Sequence, residues 1–331
     1  MVKIESIYIE NYRGIKKGRI DDLGNLNILV GKNGSGKSTA LEPLIISSAI
    51  FSAVFPYNVY QGEKIQFLSA KRNLQGTIHT TPDLKITFNS EHWFYGGNHN
   101  ENINFNIATN INSLNAVFFF KKEHNYQISP SDNLGLLRNF FANIMYLDAS
   151  LVTRQSVEEN TWDNILIKAL KDKIIEHFNT IYPLKIKSID YSRNGFYVTP
   201  ENAKYGVLLD NLGSGMRIGM RLLILLMLLS NTAVIIEEFD AFQHPESLDA
   251  LIKIIFHISK ENELQFFFTT HRKESIKGFL ANYAKYPECD GRIIGTILKP
   301  NGELITKSIK FSDAQNLSSA GFDFRDIEDY V

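Results

Sequence analysis

The sequence contains a single cysteine, Cys289, and this scarcity excludes a framework of intramolecular disulfides and fits a reducing compartment. It also lacks a long apolar run, because the longest one, Leu222 to Leu229, is far shorter than the about 20 residues that a membrane-spanning helix needs. The opening residues MVKIESIYIENYRG alternate apolar and charged side chains, without the continuous apolar core of a signal peptide. We therefore expect a soluble, cytoplasmic protein with no membrane partner.

Neither sign of charge prevails, because 35 lysines and arginines are balanced by 36 aspartates and glutamates, for a formal net charge of -1. Bulk charge thus gives no reason to expect nucleic acid as a partner, and any binding of DNA must be local. Hydrophobic residues make up 44% and charged residues 21% of the chain, which is ordinary for a globular protein. A chain of 331 residues can form one large two-lobed domain or two domains.

What the chain does contain is the glycine-rich stretch VGKNGSGKST at positions 30–39, directly after the apolar run LNIL. It fits the pattern G-x-x-x-x-G-K-[ST], with a predicted strand before it and a predicted helix after it. Glycines in this context let main-chain N–H groups surround the phosphates of a nucleotide. Lys37 is expected to reach the β- and γ-phosphates, and the Ser38 hydroxyl to bind Mg²⁺. The candidate nucleotide contacts in this loop are Gly31, Asn33, Gly34, Ser35, Gly36, Lys37, Ser38 and Thr39.

A second stretch, VIIEEFD at positions 234–240, is typical of a buried strand that ends in acids. Ligands bind at the carboxyl edge of an open α/β sheet, so these carboxylates are expected beside the phosphate loop. Glu237 is the candidate magnesium ligand, and Glu238 is the candidate residue that orients and polarises the attacking water. The competing interpretation is that the two acids merely begin a solvated loop.

Two further stretches carry candidate phosphate contacts. The residues LGSGM at positions 212–216 place a small turn at the start of an apolar helix, where backbone N–H groups and the helix dipole favour an anion. Ser214 and Gly215 are the candidate contacts, and the competing interpretation is a plain helix start capped by Asn211 or Ser214. His271, in the stretch FTTH, lies immediately past the predicted buried strand QFFFT at positions 265–269 and is the candidate sensor of the γ-phosphate.

Arg13 belongs to a small basic cluster with Lys16, Lys17 and Arg19. This cluster is a candidate contact for the nucleotide or for DNA, and the alternative is a solvated hairpin. We include Arg13 among the candidate nucleotide contacts.

In this order, the four stretches resemble the ABC-type ATPases, specifically the soluble branch that contains RecF, SMC and the OLD (overcoming lysogenization defect) ATPases. The N-terminal IESIYIENYRGIKKGRI is similar to the opening of that branch, and IIEEFDAFQHP is similar to the IEEPEAHLHP of OLD proteins. The resemblance is strong over about residues 1–50 and 205–275. Between these ranges it rests only on the order of the predicted helices and strands. It implies ATP and Mg²⁺ as cofactors and a head-to-tail homodimer with ATP between the phosphate loop of one subunit and the signature of the other.

The signature, GSGMR at positions 213–217, departs from the residue order usual in the family. We expect Ser214 to supply the hydroxyl that meets the γ-phosphate, with Arg217 as an additional cation. Gln155 is the candidate for the family's glutamine loop, which by layout follows the short apolar run at positions 143–147.

The fold implied by the resemblance is an α/β P-loop NTPase of the ABC-ATPase head type, with a mixed central sheet, an antiparallel β-meander and a helical signature lobe. We expect one two-lobed head over residues 1–331. Residues 1–148 and 231–331 would form the nucleotide-binding lobe, with the meander at about 60–130, and residues 149–230 a mainly helical lobe ending in the signature. The sequence has no sustained heptads, so we expect no long coiled-coil arm. Few residues follow His271, so we expect no Toprim nuclease domain.

Two functions are compatible with these residues. The first is an ATP-driven conformational switch, in which ATP joins two heads, hydrolysis separates them, and a partner responds to the cycle. By resemblance, stand-alone ATPases of this branch pair with a separate nuclease or toxin in phage defence, or act in DNA repair. The alternative is a binding module that uses ATP only as an assembly ligand. Glu238 favours the switch, because a protein that does not hydrolyse ATP has no need of a residue that activates water.

Overall fold

The structure of the chain is a computed structural model, which describes residues 3–52, 75–81, 84–95, 98–109, 113–120, 125–128, 143–147, 155–239 and 245–325. In chain order its strands are β1 (Ile7–Tyr12), β2 (Ile15–Ile20), β3 (Leu26–Val30), β4 (Gln75–Thr81), β5 (Leu84–Tyr95), β6 (Asn98–Thr109), β7 (Ser113–Phe120), β8 (Asn125–Ile128), β9 (Met145–Leu147), β10 (Ile186–Ser192), β11 (Gly195–Pro200), β12 (Val207–Leu208), β13 (Ala233–Ile236), β14 (Gln265–Thr270), β15 (Gly291–Leu298) and β16 (Glu303–Lys310). The helices are α1 (Lys37–Ser52), α2 (Gln155–Ile167), α3 (Lys171–Ile181), α4 (Ser214–Met227), α5 (Pro245–Glu261), α6 (Lys273–Tyr283) and α7 (Phe311–Ser319).

The larger sheet has 13 strands in the order β8-β7-β6-β5-β4-β1-β2-β16-β15-β3-β14-β13-β9. At one end, the neighbours β9, β13, β14, β3 and β15 all run parallel. Parallel strands are covered on both faces and therefore form continuous apolar runs. Every residue of β3, β13 and β14 is buried, as the sequence predicts for strands that a crossover helix connects.

The other end of the sheet is antiparallel. β1 and β2 form a hairpin, and β4 to β8 form the antiparallel meander that the sequence predicts. β15 and β16 are joined by the predicted Asn301-Gly302 turn, where Gly302 adopts a φ of 85° that side chains disfavour. β16 also pairs in parallel with β2 and so connects the two halves. The fold is thus mixed α/β with a mixed central sheet, as expected.

Within the stretch that we expected to be mainly helical up to about residue 229, the structure also contains a small second sheet, which was not expected. After α2 and α3, the strands β10, β11 and β12 form a three-stranded antiparallel sheet. Its buried apolar residues are Ile186 and Ile189 of β10, which lie three residues apart where the strand register shifts, and Phe196 and Val198 of β11, which lie two apart. The turn before Gly195, which has a φ of 110°, reverses the chain within two residues.

Helix α4 is largely buried and packs beside the segment that contains α2, α3 and the second sheet. Tyr182 lies so close to it that a Cβ added at Gly219 would approach the tyrosine hydroxyl to 1.8 Å. Arg221 of α4 is 4% exposed and donates hydrogen bonds to Glu158 of α2 and to Asp210, which precedes α4. These contacts tie α4 to its neighbours by charge as well as by apolar packing. None of the described helices is long and apolar enough to cross a membrane.

Candidate active site

A cavity of about 420 Å³ opens where the parallel strands β3, β13, β14 and β15 end. The loop after β3, Glu238 after β13 and the segment at the end of β14 all reach this cavity, although they are far apart in the sequence. The described residues that line it are Asn33, Gly34, Gly36, Lys37, Ser38, Thr39, Glu238, Thr269, Thr270, His271 and Leu298. The structure therefore brings the predicted phosphate loop, one of the two predicted acids and the predicted histidine together. Thr269, Thr270 and Leu298 were not foreseen.

The phosphate loop is folded tightly against β15. Gly31 has a φ of 150°, and a Cβ there would lie 2.6 Å from the Ser35 hydroxyl and 2.7 Å from the Thr296 carbonyl oxygen. Ser35 is buried, and its Oγ lies 2.9 Å from the Thr296 hydroxyl of β15. Gly31 and the Ser35 side chain therefore shape the loop, whereas Gly34 and Gly36, both with positive φ, form the wall of the cavity.

The Lys37 ammonium lies inside the loop. Its Nζ donates hydrogen bonds to the carbonyl oxygens of Gly31 and Lys32, at 2.7 and 2.9 Å. Burial lowers the pKa of Lys37, and the charge of the Glu238 carboxylate acts in the opposite direction. A cation in this position is held by neutral oxygens that a phosphate can replace without dismantling the loop.

Glu238 has an unusual backbone conformation for a residue with a side chain, with a φ of 46°. Its N–H donates a hydrogen bond to the hydroxyl of Thr269 on β14, at 3.0 Å. Glu238 is exposed and lines the cavity together with residues of the phosphate loop. The carboxylate is thus placed by a strained turn at the very end of β13.

Glu237 is held beside the cavity by β9. Its Oε2 accepts a hydrogen bond of 2.8 Å from the Tyr146 hydroxyl, and its N–H donates to the Leu147 carbonyl. Sequence reasoning missed Tyr146, although its place in the short strand before the candidate glutamine loop was a usable signal. Gln155 begins α2, and its side chain lies outside the described residues.

Arg13 lies in the β1–β2 turn with a φ of 51°, and its guanidinium pairs with the carboxylate of Glu42 on α1. Glu42 is 3% exposed and also accepts a hydrogen bond of 2.6 Å from Tyr12. Burial by itself lowers the pKa of Arg13, but the hydrogen bond and charge of Glu42, joined by the charge of Glu237, raise it overall. Arg13 is thus tethered to the helix that follows the phosphate loop, and Glu42, the tether, was not predicted.

The signature turn lies apart from this cavity, since its residues are absent from the described lining. Helix α4 begins at Ser214 with Gly213 as its N-cap, and within the described structure no side chain caps it. The N-cap is therefore Gly213 and not Asn211 or Ser214, whereas a plain helix start without a side-chain cap is compatible with the structure. Gly213 and Ser214 are exposed.

Gly215 has a packing role that the sequence did not reveal. It is buried, and a Cβ at this position would lie 1.8 Å from the Ser247 hydroxyl of α5. Its carbonyl accepts a hydrogen bond from Tyr182. The predicted contact of Gly215 with a phosphate stays a prediction, restricted to its main-chain N–H. Arg217 Nε is buried and has no hydrogen-bond partner among the described residues.

Comparison with known proteins gives this geometry a context. The AAA ATPase domain family matches residues 2–194, a range that contains the phosphate loop and ends before the signature turn. An uncharacterized protein of Methanocaldococcus jannaschii is 30% identical over 116 residues, which are 34% of this chain and 99% of that protein. A protein of Helicobacter pylori named ATP/GTP phosphatase is 22% identical over 324 residues, covering 83% of this chain and 86% of that protein.

Among solved structures, a crystal structure of an SMC head bound to the C-winged helix domain of ScpA is similar to this chain, with a TM-score of 0.52. The sequence identity is 14%, and the match covers 95% of this chain and 99% of that chain. At this identity the likeness establishes the fold, which is that of an SMC head.

Proposed function

Since this chain belongs to the AAA ATPase domain family, we propose that its cavity binds ATP with Mg²⁺ and hydrolyses the terminal phosphate. One observation carries the proposal. The phosphate loop, the Glu238 carboxylate and His271 come from three distant parts of the sequence and line the same cavity. A structural glycine turn would need neither an acid nor a histidine opposite it.

The loop fits the phosphates of a nucleotide. Gly34 and Gly36 have positive φ and line the cavity, and Lys37 provides a cation among replaceable carbonyl partners. Phosphate oxygens accept charge-assisted hydrogen bonds from such a lysine and from backbone N–H groups at the start of α1. We assign the β- and γ-phosphates to this loop.

The donor set beside the loop fits Mg²⁺, which prefers oxygen ligands and retains several waters. The Ser38 hydroxyl lines the cavity, and Glu237 would act through water, with Tyr146 fixing one of its oxygens. When bound, the ion supplies positive charge that offsets the charge of the phosphates. Arg13, whose guanidinium pairs with Glu42 on the helix that follows the phosphate loop, would add a cation near this site.

Hydrolysis would depend on two groups at the strand ends. The Glu238 carboxylate orients and polarises the water that attacks the terminal phosphorus, while the bond to the leaving ADP oxygen breaks. His271 is exposed at the end of β14, within reach of the cavity, and contacts the terminal phosphate. Both groups lie opposite the loop, where the γ-phosphate would be.

We further propose that ATP joins two copies of the chain head to tail. The turn of Gly213 and Ser214 is exposed and offers helix N–H groups that no described side chain caps. An anion is favoured at such an uncapped helix start, and the second copy's ATP would be that anion. The ATP cycle then acts as a conformational switch for a partner or a DNA-linked process such as repair or phage defence. The ScpA-bound SMC head supports this, because a head of the same fold accepts a protein partner.

The proposed hydrolysis is tested by measuring phosphate release from ATP by the purified chain, with Mg²⁺ and with EDTA. We expect release that requires Mg²⁺, together with binding of a fluorescent ATP analogue. Binding without any phosphate release, also in the presence of DNA, would instead support the non-hydrolysing assembly module. Failure of the analogue to bind would remove the nucleotide site itself.

A further inference from the structure

The backbone of Glu238 is held in a conformation that residues with a Cβ atom disfavour. Its φ of 46° lies in the left-handed region, which residues with a Cβ rarely adopt. Such a conformation persists only where surrounding contacts hold it, and it is common at functional sites. The carboxylate proposed to orient water therefore depends on whichever contact holds this turn.

The contact comes from Thr269 on the neighbouring strand. The amides of a strand inside a sheet point alternately to its two neighbours. The Glu237 N–H bonds the Leu147 carbonyl of β9, so the next amide, that of Glu238, points towards β14. There the ladder of β13 and β14 has ended at the pair of Ile236 and Phe268, and the Thr269 hydroxyl accepts the hydrogen bond.

The position of Thr269 makes this contact rigid. Thr269 is 1% exposed, within a strand whose residues are all buried. On the other side of Glu238, the ring of Phe239 is buried against Phe268 and Phe279, with centroid separations of 5.3 and 5.2 Å. The residue after Glu238 is thus fixed by packing, and the amide of Glu238 itself is fixed by one hydroxyl.

We propose that Thr269 is a positioning residue, whose hydroxyl holds the Glu238 backbone so that the carboxylate faces the attacking water. Thr269 lies two residues before His271 in the same segment. The inference rests on the proposed function, since it concerns the same carboxylate.

Thr269→Val tests this directly, because valine keeps the shape and branching of threonine and removes the acceptor. We expect kcat for ATP to fall by roughly tenfold to a hundredfold, as for a displacement of about 1 Å, with KM and nucleotide affinity nearly unchanged. Thr269→Ser, which restores the hydroxyl, should recover most of the loss. Thr232→Val is the matched control, because Thr232 is equally buried but directly precedes β13, at the amino-terminal edge of the parallel strands and away from the cavity.

A double variant separates positioning from a general structural effect. If Thr269 acts through the carboxylate, Thr269→Val should cause no further loss of turnover in the Glu238→Gln background. Additive losses, or an unchanged kcat in a folded Thr269→Val protein, would overturn the inference while leaving the proposed ATPase intact. If the valine variant fails to fold, Thr269→Ala removes the same acceptor and is compared in the same way. Absence of hydrolysis in wild type, by contrast, would overturn the proposed function and this inference with it.

Discussion

The signature turn and the cavity lined by the phosphate loop differ in how many of their polar groups have hydrogen-bond partners within the described part of the chain. The cavity is assembled from four strand ends, and three of the groups in or beside it already have partners within the chain. Lys37 holds two carbonyls, Glu237 is held by Tyr146, and the Glu238 amide is held by Thr269. Its geometry is therefore set before any ligand arrives.

The signature turn is the opposite case. Its small residues are exposed, whereas the helix behind them is buried and tied by Arg221 to Glu158 and Asp210. A rigid helix thus presents N–H groups to solvent without a described side chain to satisfy them. The contrast teaches that a rigid element can carry unsatisfied N–H groups, and under the proposed dimer a second copy's ATP would meet them.

The largest expected effect lies in the cavity. Glu238→Gln keeps the shape of the side chain and removes the charge that polarises water, so turnover should fall by roughly 10²- to 10⁴-fold. Nucleotide binding should survive, because the phosphate loop is untouched. Phosphate release and equilibrium titration with a fluorescent ATP analogue measure the two effects separately. Turnover at the wild-type rate would mean that another carboxylate activates the water.

Lys37→Ala should weaken ATP binding by about tenfold to a hundredfold, since a charge-assisted hydrogen bond to the phosphates is lost. The same analogue titration measures it, with circular dichroism to confirm the fold. Lys260→Ala, which removes an exposed lysine of α5, is the control. Unchanged affinity in a folded Lys37→Ala protein would contradict the assignment of the cavity.

A substitution in the signature turn should change ATP-dependent dimerisation only. Ser214→Ala should weaken ATP-dependent dimerisation by about tenfold and leave ATP binding by the monomer unchanged, because one hydroxyl contact to a charged phosphate is lost. Light scattering over a range of protein concentrations, with ATP and Mg²⁺, measures the shift. Ser312→Ala, an exposed serine of α7, is the control. A bulky residue at Gly215 is unsuitable, because it would collide with Ser247 and disturb the fold.

The outcome for Ser214→Ala decides whether the comparison holds. An equal loss of monomer binding would place the turn in its own chain's site. Dimerisation at the wild-type concentration would remove the turn from the interface altogether.

The smallest expected effect concerns Tyr146→Phe, which removes the hydroxyl that fixes Glu237. The Mg²⁺ concentration needed for half-maximal phosphate release should rise a few-fold, at most about tenfold, as for the loss of one hydrogen bond. Tyr205→Phe, at an exposed tyrosine, is the control. A Mg²⁺ requirement equal to that of wild type would separate Glu237 from the ion.

The order of residues along the chain was sufficient to predict the phosphate loop, the parallel strands around it and the edge at which an acid and a histidine meet the loop. These predictions are local, because glycines, an apolar run and a terminal acid define each strand end, and parallel strands bring their carboxyl ends to one edge. The three-stranded sheet of β10 to β12 was missed because the helical signal before it was extended too far. A register shift in β10 also places the buried Ile186 and Ile189 three residues apart, which hides the period of two.

The local sequence pattern cannot predict which distant residue becomes the hydrogen-bond or ion-pair partner of each side chain or amide in the site. Thr269 meets Glu238, Tyr146 meets Glu237 and Glu42 meets Arg13 only because particular strands and helices become neighbours. The same holds for Gly215, which resembles a phosphate contact in sequence and lies between packed helices in the structure. Chemistry is specified by residue type and local order, whereas the precise placement of that chemistry depends on packing and hydrogen bonds that form only when distant segments are folded together.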